Sequence, residues 1–313
     1  DNLEVVDLRP GEKVARSFSK PNLAYRGVAA DIICRWQGSA KMELIGSPVK
    51  NLRMSGKSLT FTYLPILDDG VHFIVENIAP NDPLRGLDCR ETDVAPGVLF
   101  DKTYVSEIKK YSVLRFMKWN LAVENNSAVT WAARTRPDQA VFMGPEGIAL
   151  EYMIELANQT GADPWFALPW NADDEYVRKF AEMVRDRLNP SRKAYVEVSN
   201  EVWNYVYPVS HQAHAEGLAE GLSTNGYEGL LRRYAEKTGA VMDVWSSVFA
   251  GQMHRTVRVA ATQNGPGTAG AVLGFRDTAK KVDALATAPY FIDNMEPGTI
   301  TTSASLDQYF RKL

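Results

Sequence analysis

The sequence predicts an α/β fold, with a parallel sheet as its main body and a small β-rich module before it. Three observations carry this expectation. From about residue 84 onward, short apolar runs alternate with amphipathic helical stretches, and each parallel return needs such a helix. Before that point the runs "SLTFTYL" (58–64) and "VHFIVENI" (71–78) read as strands separated by "PILDDG", with its Asp-Gly turn signal. Between the two regimes "APNDPLRG" (79–86) has the composition of a linker, so the expected division is residues 1–80 and 81–313.

Six strands are expected in the second region: "GLDCRE" (86–91), "SVLRFMKW" (112–119), "DPWFALPW" (163–170), "AYVEVSN" (194–200), "TVRVAAT" (256–262) and "DALATAPYF" (283–291). In "GIALEYMIELANQTG", Leu150, Met153, Ile154 and Ala157 have the spacing of a buried helix face, and Gly161 is placed to close the helix as a left-handed cap. "ADDEYVRKFAEMVRDRLNP" starts with aspartates, puts Tyr176, Phe180, Val184 and Leu188 on one stripe, and has Pro190 beyond its end. A long helical region runs through "LLRRYAEKTGAVMDVWSSVFAG". The glycine-rich "TQNGPGTAG" (262–270) is expected to be a flexible loop. Two architectures satisfy this order, a doubly wound open sheet and a (β/α)8 TIM barrel.

Composition narrows the function. The chain has 313 residues, 45% hydrophobic and 23% charged, with a formal net charge of -3, so a nucleic-acid partner is not expected. It contains no run of about 18 apolar residues, so a membrane partner is not expected. The triplet Gly56-Lys57-Ser58 lacks the leading glycine of a Gly-x4-Gly-Lys-Ser/Thr loop, position 51 being Asn, and the Gly265-x-Gly267-x-x-Gly270 spacing falls in the stretch read as a flexible loop. Cys34 and Cys89 are far apart and read as neither a metal cluster nor a disulfide framework. His211 and His214 are spaced i,i+3, but lack a third ligand at a recognisable offset and read as surface polar residues. No cofactor is expected. The start at Asp1, without methionine or signal peptide, suits a processed mature product, hence a secreted or periplasmic location.

The informative stretch is "YVEVSNEVWNY" (195–205). Val196 and Val198 suit a helix-covered face, and strict alternation would turn Tyr195, Glu197, Ser199 and Glu201 to the other. In a barrel that face points along the axis, where charges need partners, and catalysis takes place at the C-terminal strand ends. Glu201 sits at such an end, before an aromatic loop containing Trp203. Arg115, between Leu114 and Phe116, is expected inside with a carboxylate partner: Glu197, Glu201 or a later acid. Trp170 and Asn171 close another strand, and Tyr290 in "APYF" closes the sixth. Carboxylate, arginine, amide, tyrosine and tryptophans at one rim suit a carbohydrate, with rings on the C–H surface of the sugar and polar groups on its hydroxyls.

In this context "SNEVWN" resembles the Asn-Glu motif that ends the fourth strand of clan A glycoside hydrolases. "VLRF" is similar to that clan's arginine-bearing second strand, and "APYF" to its sixth-strand end, over roughly residues 84–291. The resemblance implies a (β/α)8 barrel and retaining hydrolysis of a β-linked poly- or oligosaccharide. It implies Glu201 as general acid/base, Asn200 on the sugar 2-hydroxyl, Arg115 on the nucleophile's carboxylate and Tyr290 hydrogen-bonded to it.

The pattern also calls for a glutamate ending a seventh strand, and the expected strands stop at six. Glu296 in "DNMEPG" follows "APYF" too soon for another strand. The barrel is therefore expected to be truncated after its sixth strand, with the nucleophile beyond residue 313 or on a second chain that completes the ring. An open barrel exposes two long edges, which favours missing residues over a natural six-stranded form. The alternative is a non-catalytic carbohydrate-binding protein on a degenerate barrel.

Overall fold

The computed structural model describes residues 8–9, 11–18, 28–64, 70–124, 128–139, 142–288 and 301–311. The chain divides into two compact units, Asp1–Lys110 with Asp138–Val141, and Tyr111–Pro137 with Phe142–Leu313. The main division thus falls near residue 110, not near 80.

The described strands of the first unit are β1 (Lys13–Phe18), β2 (Ala30–Gln37), β3 (Lys41–Ile45), β4 (Val49–Ser55), β5 (Ser58–Tyr63), β6 (Val71–Glu76) and β7 (Arg85–Glu91). They form two antiparallel sheets, ordered β1-β6-β3 and β4-β5-β2-β7. Alternation explains the packing. Leu59, Phe61 and Tyr63 from β5 and Val71, Phe73 and Val75 from β6 share one buried cluster with Ile32, Cys34 and Trp36 of β2, so the sheets close on each other as a sandwich. The strands on either side of "PILDDG", β5 and β6, belong to different sheets.

Two expectations are corrected here. "GLDCRE" does not open the parallel sheet: as β7 it pairs antiparallel with β2, which moves the division downstream. That register sets Cys34 directly opposite Cys89, and the two form a disulfide, which their separation in sequence concealed. Helix α1 (Lys102–Ile108) follows, its first N–H groups capped by the Asp101 carboxylate.

The second unit holds β8 (Val113–Arg115), the small hairpin of β9 (Met143–Gly144) and β10 (Gly147–Ile148), then β11 (Asp163–Leu168), β12 (Ala194–Val198), β13 (Thr256–Gln263) and β14 (Ala284–Ala288). Its main sheet is parallel and ordered β8-β11-β12-β13-β14. Spatial order equals chain order. With right-handed crossovers, such a sheet carries its helices on one face and curls, whereas a doubly wound sheet reverses at a switch point. The result is a curled half-barrel of five strands among the described residues, one fewer than expected because of β7.

The helices are α2 (Leu150–Thr160), α3 (Asp174–Arg187), α4 (Pro208–Ala219), α5 (Gly226–Val248), α6 (Pro266–Leu273), α7 (Thr278–Lys281) and α8 (Ser303–Phe310). In α2 the four expected positions are buried, and Gly161 (φ 70°) returns its N–H to the Ala157 carbonyl. In α3 the Asp173 side chain caps the Tyr176 N–H, and Tyr176, Phe180 and Val184 are buried. The stretch read as a flexible glycine-rich loop is partly α6, entered through Pro266, a residue suited to the first helical turn. Helices α4 and α5 meet at Gly217 and Gly229, where a Cβ on Gly217 would lie 2.3 Å from the Gly229 carbonyl oxygen.

The sheet therefore has two unlike faces. Phe166, Val196 and Val198 are buried on the helix side, where Phe166 meets Phe180 edge-on at 5.2 Å. The register aligns Arg115, Trp165 and Tyr195 on the opposite face, where Trp165 stacks on Tyr195 at 5.6 Å and both stay half-buried.

Candidate active site

The third strand of this sheet supplies two carboxylates by different means. Glu197 lies within β12 and keeps 2% of its side chain exposed. Two N–H donors converge on its Oε2 at 2.8 Å, Arg115 Nη2 and Trp165 Nε1. Burial pushes the Glu197 carboxyl above its usual range, the Arg115 charge and the two hydrogen bonds oppose that rise, and the Glu201 carboxylate adds to it. The Arg115 guanidinium also packs over the Trp165 ring at 5.2 Å.

The strand period ends at Val198, which corrects the reading of one continuous alternating face. Ser199 (φ 58°) and Glu201 (φ 45°) both adopt left-handed backbone, a conformation unfavourable for residues other than glycine. The Ser199 hydroxyl turns away to donate to the buried Ala122 carbonyl. Asn200 is buried, and its Oδ1 accepts from Arg115 Nη2 at 2.8 Å. Glu201 is therefore delivered by a strained turn at the C-terminal strand end. It is half-buried, and its Oε2 accepts from Asn204 Nδ2 at 2.9 Å. A single nitrogen of Arg115 thus ties Glu197 to Asn200, next in sequence to Glu201. The partner of Arg115 is the deep acid, not Glu201.

Beyond Glu201 a cleft of about 560 Å³ is lined by Trp203, Asn204, Tyr205, Val206, Tyr227 and Gln263. Trp203, expected at the rim, does line it. Tyr227 comes from the first turn of α5, and Gln263 ends β13. Sequence reasoning missed Asn204, Tyr205, Val206, Tyr227 and Gln263. The aromatic loop after Glu201 was a signal for the first three alone, since the other two arrive from distant strand and helix ends.

The remaining expected positions differ. Trp170 is fully buried. Its Nε1 donates to Glu216 at 3.3 Å, and the Lys237 ammonium sits 5.3 Å from its ring centre, so it is a core residue and not an exposed sugar platform. Asn171 is half-buried and exchanges amide hydrogen bonds with Gln212 of α4, at 3.0 and 2.7 Å. Tyr290 and Glu296 lie outside the described residues. His211 and His214 hold the loop: His211 Nε2 contacts the Tyr205 carbonyl at 2.9 Å, and His214 Nδ1 the Tyr205 hydroxyl at 2.6 Å. Among the described residues no group of three or more His, Cys, Asp or Glu is placed to hold a metal ion, and no helix is long and apolar enough to cross a membrane.

No family model, curated protein or solved structure matches this chain. Its functional reading therefore rests on the geometry just described and on the motif at Asn200 and Glu201.

Proposed function

We propose that this protein is a retaining glycoside hydrolase of the (β/α)8 barrel type, acting on a β-linked poly- or oligosaccharide with Glu201 as general acid/base. The observation that supports this most is the position of Glu201 at a C-terminal strand end, bonded through Asn204 to a cleft with aromatic lining. Sequential strand order supports the barrel. One strand, β11, separates Arg115 from Asn200 and Glu201, as the resemblance has it, although their strands are the first and third described of the sheet and not the second and fourth. The Cys34–Cys89 disulfide favours an oxidising compartment, hence a secreted or periplasmic enzyme.

Retaining hydrolysis needs a second carboxylate about 5–5.5 Å from the first. Glu197 is enclosed by Arg115 and Trp165 and holds the site together instead of attacking the sugar. The nucleophile is proposed to come from a strand beyond β14. One observation favours the rival reading, a carbohydrate-binding protein without turnover: among the described residues, no acid appears in the cleft lining.

The Glu201→Gln variant decides between them when assayed on β-glucans, mannans, xylans and galactans. Loss of a general acid should lower kcat by about 10²–10⁴-fold. Unchanged turnover removes Glu201 from the mechanism. Oligosaccharide affinity without release of reducing sugar by the native protein favours the binding module.

A further inference from the structure

We propose that the cleft beside Glu201 is a subsite for an uncharged sugar ring, with Tyr205 and Tyr227 as its aromatic walls and Gln263 as its hydroxyl-binding amide. This deepens the carbohydrate reading and rests on it.

The chemistry of the lining selects the ligand. Three aromatic residues, a valine and two amides surround the space. A uronate, sulfated or phosphorylated sugar would need a cation or a cluster of donors to replace its water, and among the described residues neither lysine nor arginine lines the cleft. An amide both donates and accepts, which matches a hydroxyl. Gln263 accepts the Asn264 N–H through Oε1 at 3.2 Å, and its NH2 group is the donor assigned to the sugar. The volume, about 560 Å³, lies within the ~300–1,000 Å³ range usual for small-molecule sites.

Tyr205 is held in place by the surrounding side chains. It is 40% exposed, yet its hydroxyl is held by His214, and its ring lies 5.4 Å from the His211 ring and 6.3 Å from Tyr227. The His214 imidazole packs so closely on Gly226 that a Cβ there would lie 2.3 Å from its Cε1. The phenol face is therefore oriented by contacts beneath it, which lowers the ordering cost of binding. Asn204 joins this surface to the acid, donating to Glu201 through Nδ2 while its Oδ1 accepts the Val206 N–H at 3.1 Å.

The test is calorimetric titration of the whole chain with xylo-, manno-, cello- and galacto-oligosaccharides and with an oligogalacturonate of equal length. At least one neutral series should bind, and more tightly than the oligogalacturonate. Tyr205→Ala should weaken that binding about tenfold, while Tyr205→Phe, which keeps the ring and loses only the hydroxyl bond to His214, should stay within about threefold. Tighter binding of the oligogalacturonate overturns the proposal, as does a Tyr205→Ala protein with native affinity. The turnover assay of Glu201→Gln separates the two levels. Native turnover and affinity in Tyr205→Ala sink the subsite alone. Tyr205-dependent binding in a protein that hydrolyses nothing keeps the subsite and sinks the hydrolase, and no binding to any glycan sinks both.

Discussion

Glu197 holds a proton more tightly in the folded chain than in the unfolded one, because burial outweighs the Arg115 charge. For such a group, stability is fully present below the unfolded carboxyl range and declines as pH rises through the folded value, since the native state binds the extra proton in that interval. Denaturant titrations from acid to neutral pH should therefore show the wild type losing stability relative to Glu197→Gln, whose amide does not titrate. A constant difference between the two proteins would refute this account of the site. The Arg115–acid pairing was legible in the sequence, because an arginine among apolar strand residues needs a carboxylate. Which carboxylate it takes was not, because alternation carried past Val198 treats Glu197 and Glu201 as equivalent. The left-handed turn at Ser199 and Glu201 makes them different. Trp170 was misassigned because position at a strand end says nothing about whether an indole faces solvent or the Glu216 and Lys237 side chains of α4 and α5.

At the scale of elements, α2 and α3 were read correctly because their stripes, caps and terminating residues are local signals. The contact of α4 with α5 has no such signal. Gly217 and Gly229 are isolated glycines in helical stretches, and only their mutual approach explains them. Gly217→Ala should drive a methyl group onto the Gly229 carbonyl and cost about 1–3 kcal/mol, measurable as a lowered urea midpoint. Gly221→Ala, at a position with φ 66° but no atom within reach of a Cβ, is the control for backbone strain alone. The strand β7 shows the opposite failure. A strand this short, with only Leu87 and Cys89 apolar, declares nothing about which sheet it joins, and the pairing of Cys34 with Cys89 is visible only once that sheet is known.

For the molecule as a whole, the two units depend on different glue. The first closes a sandwich over a disulfide that spans 55 residues, and a loop of that length stabilises by up to about 4 kcal/mol in the chain-entropy account. Reduction should therefore raise hydrogen exchange in β2, β5 and β6, while β11, β12 and β13 keep their protection. Loss of protection confined to the parallel sheet would contradict this. The parallel order was foreseen from the strand–helix rhythm, and its sequential form decides for a curled sheet over a doubly wound one, a distinction that no local pattern encodes. The turn at Ser199 and Glu201 has a last consequence for anyone breeding hardier forms of this protein. Glycine would relax both residues, so pressure for heat tolerance alone pushes against the acid at 201, and sturdiness and usefulness pull this one loop in opposite directions.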